Sequence, residues 1–478
     1  MLNKAFNLSE ATITEMQHAL ETGEITSRKL TIMYLDQIAK YNSSGPNINA
    51  ILEINPDALH IAEARDVERN QTGIRGPLHG IPVLIKDNIN TADKMHTTAG
   101  SSALASHYAQ EDAFVTKKLR EAGAIILGKT NLTEWANFMT KNMPNGYSSH
   151  GGQVLNPYGP GRFDVGGSSA GSGAGIAANF AAIALGTETS GSILSPASRN
   201  SLVGIKPTVG LISRTGIIPI ANSQDTAGPM AKTIEDAVLA LGVLTGTDEE
   251  DPATALTGEI TTNYTPYLNK EGLKNARIGV VQNYLSAFDK NELLLFNQAL
   301  TDMENSGALL FDIEELPSEL PKSSVMFHEF KSGLNAYLGK SNSSIRSLLD
   351  VITYNQTHPK ETLKYGQTVL LESEAKSGAL TEPEYITDRL ADLRTSQISG
   401  IDSVIEKYNV DALLFINYAG CDIAARAGYP SITVPAGYTK DGMPVSVTFT
   451  GTAFTEPKLI ELAYAYEQVT LHRKPPRL

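Results

Sequence analysis

The sequence predicts an α/β protein: a mixed sheet core flanked by helices on both faces, with a helical N-terminal arm and a helix-rich insertion. Two patterns carry that expectation. From Pro77 onward, short apolar runs alternate with amphipathic stretches, as strands and crossover helices do in layered α/β folds. Glycine is unevenly spread: of 40 glycines, 15 fall between Gly146 and Gly216, where an even distribution would put about six. That stretch needs backbone close to other groups, or in conformations that a Cβ forbids.

Taken in chain order, Ser9 is the expected N-cap of a first helix carrying Ile13, Met16 and Leu20 and ending near Gly23. Thr26 or Ser27 then caps a second helix with Leu30, Met33, Tyr34 and Ile38 on one side. Gly80-Ile-Pro-Val-Leu-Ile-Lys86 reads as a short buried strand that ends in a lysine. A helix from about Ala113 to Ala122, the strand Ala124–Gly128 and a helix after Asn131 follow. Asn145 to Gly167 has no periodicity and reads as a long ordered loop. The small-apolar run from Ala174 to Gly186 is too short to span a bilayer and reads as a buried helix. Ile278–Val281, Ala412–Ile416, Ile432–Pro435 and Val445–Gly451 are expected strands, and a helix from Glu456 to about Val469 closes the chain.

With 41% apolar residues the chain can bury one large core, and residues 1–478 are expected to form a single domain. Its parts would be a helical arm (1–70), an α/β core (71–260 and 405–478) and a helix-rich insertion (261–404) near the substrate entrance. The insertion is richest in helix from about Lys322 to Ser403. A net charge of −13 argues against a nucleic-acid partner. The single cysteine, Cys421, excludes an internal disulfide framework and any Cys-based metal cluster. No secretory segment is visible at the start, so a soluble, cytoplasmic protein with no membrane partner is expected.

Three chemistries compete for the Gly/Ser-rich region. Gly167-Ser-Ser-Ala-Gly171 matches the G-x-S-x-G nucleophile elbow with Ser169 at its centre, but Gly161–Gly166 before it is loop rather than strand. Glycines 166, 167, 171, 173 and 175, read as preceding a helix, suggest an anion cradle, yet no Lys-Ser/Thr follows as a phosphate loop requires. The nine histidines are scattered without paired spacing, so no catalytic metal and no cofactor are expected.

Reading three segments together gives a sharper result. Lys86 ends its strand, Ser168 sits in Gly166-Gly-Ser-Ser-Ala-Gly-Ser172, and Ser192 follows 24 residues later in Thr189-Ser-Gly-Ser192. This order and spacing resemble the amidase signature family. The resemblance extends to Leu127-Gly-Lys-Thr-Asn131, Val203-Gly-Ile-Lys-Pro-Thr208, Asp225-Thr-Ala-Gly-Pro229 and Gly428–Pro435, covering roughly residues 8–250 and 410–470. Within the family, Asn131-Leu-Thr-Glu-Trp-Ala-Asn-Phe138 and Gly151–Tyr158 look most like the bacterial peptide amidases, which remove the C-terminal amide of peptides.

The resemblance implies a Ser-Ser-Lys triad: Ser192 as nucleophile, Ser168 as proton relay after a cis Gly167–Ser168 peptide, and Lys86 as base. An amide is a poor electrophile and serine a poor nucleophile, so both need activation. Backbone N–H groups of Thr189, Ser190 and Gly191 are the expected oxyanion donors. A lysine serves as a base only when neutral, and at its ordinary pKa only about one in a few thousand is neutral at pH 7. Burial must therefore lower that pKa. Ser190 and Glu188 depart from the family's usual glycine and aspartate, and Ser190 would bring a hydroxyl near the substrate. Leu194 and Ser195 leave no arginine for an anionic substrate. Asp225 and Arg214 read as structural residues.

The function expected on this basis is hydrolysis of a peptide or related small-molecule acyl amide. The alternatives are the catalytic subunit of a tRNA-dependent glutamine amidotransferase, working with partner subunits, and an inactive binding relative.

Overall fold

The computed structural model describes residues 6–478, apart from the side chains of residues 256–259. Its strands are β1 (Ile51–Ile54), β2 (Pro82–Lys86), β3 (Ile125–Thr130), β4 (Tyr147–Ser148), β5 (Gly152–Gln153), β6 (Ile183–Glu188), β7 (Val203–Lys206), β8 (Thr226–Ala231), β9 (Arg277–Val281), β10 (Leu309–Ile313), β11 (Ala412–Ile416), β12 (Ser431–Tyr438) and β13 (Pro444–Thr450). Eleven of them build one mixed sheet in the order β1-β3-β2-β6-β8-β7-β12-β13-β11-β9-β10, while β4 and β5 pair separately. The middle of the sheet is antiparallel from β6 through β8, β7, β12 and β13 to β11. Parallel pairs lie on either side of it: β3-β2-β6 at one end and β11-β9-β10 at the other. Every residue of β2, β3, β6 and β8 is buried, the pattern of strands covered on both faces. The expected α/β class, with helices flanking a mixed sheet, is what forms.

Several local readings change. The first helix, Ile13–Glu21, is capped by Thr12 rather than Ser9. Thr12 takes the Glu15 N–H on its hydroxyl, while the Glu15 carboxylate takes the Thr12 N–H at 2.8 Å, a reciprocal capping box that Ser9 has no partner to make. Thr26, not Ser27, caps the second helix. The arm also supplies an edge strand: β1 pairs antiparallel with β3, a run of four residues too short to show a period.

The run from Ala174 to Gly186 is not one helix. The helix Ala170–Ala177 stops before Asn179, which takes the left-handed conformation at φ 61°, and the chain re-enters the sheet as β6. After Asn131 the expected helix is instead one short turn, Glu134–Asn137, with Trp135 and Ala136 at φ 52° and 54°. The buried Trp135 packs edge-on against Phe330 of the helix Val325–Lys340 and holds that turn in place. The insertion also starts later than residue 261, because β9, β10 and the helix Lys290–Asn305 between them belong to the sheet layer. The segment that stands apart from the sheet begins near Lys322.

Gly171, Gly173 and Gly175 lie inside the helix Ala170–Ala177 rather than before it, and all eight of its residues are buried. A Cβ on Gly171 would stand 2.4 Å from the carbonyl oxygens of both Ala50 and Asn131. Those are backbone atoms that cannot swing aside, so Gly171→Ala is expected to destabilise the fold by about 1–3 kcal/mol or more. Thermal denaturation would read this as a lower Tm, and an unchanged Tm would show that the helix can move.

Candidate active site

Lys86 is the last residue of β2 and is fully buried. Its Nζ donates to Ser168 Oγ at 2.7 Å, to Thr187 Oγ1 at 2.9 Å and to the Thr187 carbonyl at 3.2 Å. Burial lowers its pKa from 10.5 to about 7, against the opposing pull of the Glu188 and Asp225 carboxylates. Burial thus acts in the direction a lysine base requires, and Ser168 Oγ is among the acceptors of that amine.

Ser168 follows a cis Gly167–Ser168 peptide, and its carbonyl accepts the Thr133 N–H at 3.0 Å. Ser169 N–H donates to the Ser192 carbonyl at 3.2 Å, and Ser169 Oγ donates to the Thr187 carbonyl at 3.1 Å. The centre of the G-x-S-x-G match is therefore occupied in tying the Ser192 backbone to the end of β6. Ser192 lies between β6 and the helix Leu194–Arg199 and is 7% exposed. Its hydroxyl makes no hydrogen bond to another described residue.

The loop that holds Ser192 is built around Glu188. This buried carboxylate accepts Gly191 N–H at 2.8 Å on one oxygen, and Ile193 and Leu194 N–H at 2.7 and 3.0 Å on the other. Burial raises its pKa, and the three N–H bonds and nearby Lys206 oppose that rise. One expectation is thereby corrected: Gly191 N–H points at Glu188, not at an open oxyanion position. Among the described residues, the N–H groups of Thr189, Ser190 and Ser192 have no such acceptor.

Thr189 is fixed from the other side, its hydroxyl donating to Asp225 Oδ1 at 2.5 Å. Asp225 in turn accepts Ile220 and Ala221 N–H at 2.8 and 3.0 Å, and burial raises its pKa to about 6. Arg214 grips Asp251 through Nε and Nη2 at 2.7 and 2.6 Å. Both side chains thus hold neighbouring backbone or side chains, and both also line the adjacent cavity. The Ser190 hydroxyl, expected near the substrate, donates to Asp422 Oδ1.

Sequence reasoning passed over Thr187 and Asn88. Thr187 Oγ1 accepts from Lys86 Nζ, and also from Asn88 Nδ2 at 3.0 Å. The available signal was a polar Thr-Glu-Thr ending an otherwise apolar strand. Beside these residues lies a cavity of about 490 Å³, lined by Asn88, Thr187, Thr189, Asp225, Ile218 and, from the insertion helix Val325–Lys340, Tyr337.

Glu188→Gln is expected to lower kcat by about ten- to hundredfold, because one carboxylate oxygen becomes an NH₂ facing a backbone N–H. Steady-state kinetics with an amide substrate would show the loss in kcat more than in KM.

A family model described as Amidase matches residues 29–415. The Arabidopsis thaliana protein named "Probable amidase" is 41% identical over 100% of this chain and 93% of its own length. The X-ray structure of native peptide amidase from Stenotrophomonas maltophilia has a TM-score of 0.91 and 43% identity, covering 98% of this chain and 99% of that one. A glutamyl-tRNA(Gln) amidotransferase subunit from Methylobacillus flagellatus is 32% identical over 96% of each chain. The chain belongs to the amidase signature family, hydrolases that act on amide C–N bonds.

Proposed function

We propose that this protein hydrolyses a peptide C-terminal amide, or a related acyl amide, to the carboxylate and ammonia through Ser192, Ser168 and Lys86. The observation that carries the reading is the buried Lys86 amine, with a pKa of about 7, set 2.7 Å from Ser168 Oγ. Neutral Lys86 draws the proton of Ser168, which takes that of Ser192 as Ser192 Oγ attacks the amide carbonyl. The N–H groups of Thr189, Ser190 and Ser192 are the donors available to the developing oxyanion. As the tetrahedral intermediate collapses, the C–N bond breaks and Ser168 returns a proton to the leaving nitrogen, releasing ammonia. Water then attacks the acyl-Ser192 ester by the same relay, freeing the carboxylate and restoring the serine.

Similarity to the Stenotrophomonas peptide amidase supports a peptide amide as substrate. The test is a panel of peptide amides, aryl acylamides, fatty amides and glutamine, read by ammonia or amine release. Peptide amides are expected to give the highest kcat/KM. The 32% identity to an amidotransferase component supports a second reading. Glutamine hydrolysis above peptide-amide hydrolysis, or co-purification with a tRNA-binding partner, would establish that reading in place of the first.

A further inference from the structure

Ser190 is the most solvent-facing member of an otherwise buried run from Thr187 to Leu194. Ser190 stands two residues before Ser192, and its N–H is one of the loop donors left without an acceptor among the described residues. Its hydroxyl donates to the exposed carboxylate of Asp422, in the helix Cys421–Ala427. The start of that helix is pinned to the loop: Gly191 takes φ 77°, and a Cβ there would lie 3.1 Å from Cys421 Sγ. Asp422 is thus held against Ser190, which precedes Ser192 by two residues in the chain.

The charge on Asp422 is uncompensated. No Lys, Arg or His among the described residues forms an ion pair or hydrogen bond with it; its partners are the Ser190 hydroxyl and, at 3.9 Å, the Cys421 thiol. Tyr284, close by, has its pKa raised by burial and further by Asp422 and Cys421, the direction a negative local potential gives. The acidic groups behind the loop, Glu188 and Asp225, are buried and bonded to backbone N–H groups or Thr189. Asp422 is the carboxylate that reaches solvent beside the loop.

We infer that Asp422 is a specificity-determining residue that favours peptide amides whose C-terminal residue carries a cationic side chain. This rests on the peptide-amide reading above. An incoming guanidinium or ammonium finds an unpaired carboxylate already in place, whereas a carboxylate side chain meets like charge.

The test compares N-acetyl dipeptide amides that end in arginine or in citrulline, its neutral isostere. In the wild type the arginine amide is expected to have the higher kcat/KM by about tenfold, the effect of two unit charges several ångströms apart in partly screened surroundings. In Asp422→Asn, which keeps an acceptor for Ser190, the ratio is expected to fall to within about twofold of unity, and salt at about 0.5 M is expected to shrink the wild-type ratio. A merely structural role would lower both rates together and leave the ratio intact. A wild-type ratio near one, or one that survives Asp422→Asn, overturns the inference while leaving peptide-amide hydrolysis standing. Failure to cleave either amide would overturn both.

Discussion

Ser192→Ala is expected to lower kcat/KM on a peptide amide by at least about a thousandfold and to abolish labelling by a fluorophosphonate, with the fold intact. The size follows from the chemistry: without a nucleophile the acyl-enzyme route closes, and what remains is bound water and oxyanion donors that have nothing tetrahedral to stabilise. Structurally the change is mild. The Ser192 hydroxyl makes no hydrogen bond to another described residue, so its removal orphans no buried partner. The Ser192 carbonyl, which accepts from Ser169 N–H, is retained. Activity retained within tenfold would remove Ser192 from the mechanism.

The second large effect is expected at Lys86, where Lys86→Met should cost about a hundred- to ten-thousandfold in kcat, the range of a lost general base. Methionine fills much of the lysine volume, and burying no charge offsets hydrogen bonds lost to Ser168 and Thr187. The wild-type pH profile adds a signature that a structural lysine would lack. In the proposed relay Lys86 acts when neutral, and burial lowers its pKa to about 7, so kcat/KM is expected to rise tenfold per pH unit below that value and level off above it.

The same shift bears on stability with a definite sign. Between pH 7 and 10.5 the unfolded chain keeps a proton on Lys86 that the folded protein has released, so the contribution of this group to stability rises with pH across that window. Below pH 7 both states hold the proton and the contribution is flat. An acid limb in kcat/KM that persists unchanged in the residual activity of Lys86→Met would show that another group sets it.

The sequence revealed the parts of this protein that depend on local pattern. Lys86 at a strand end, the two serines and the glycines that let Ala170–Ala177 press against Ala50 and Asn131 were all visible in short windows. What escaped depended on partners far along the chain. The edge strand Ile51–Ile54 is defined by pairing with β3, not by its own four residues. The left-handed turn at Trp135 is held by contacts from Ala99 and from Phe330, nearly two hundred residues later. Gly191 was expected as an oxyanion donor from the family resemblance and its place in the turn before Ser192, and the Glu188 carboxylate that takes its N–H became apparent only in three dimensions. The partner of the Ser190 hydroxyl, Asp422, lies 232 residues away in the chain and was equally hidden.

The anchoring of the Ser192 loop at both ends, by Asp225 on Thr189 and by Glu188 on Gly191, Ile193 and Leu194, has a kinetic consequence for the proposed reaction. A bridge secured at both abutments has little slack, so the span carrying Ser192 holds its working shape before any amide arrives. Binding energy that a floppy loop would consume in becoming ordered is left to act on the scissile bond. Such a loop gives short and long amides the same attacking geometry, and it leaves discrimination among them to the walls around it.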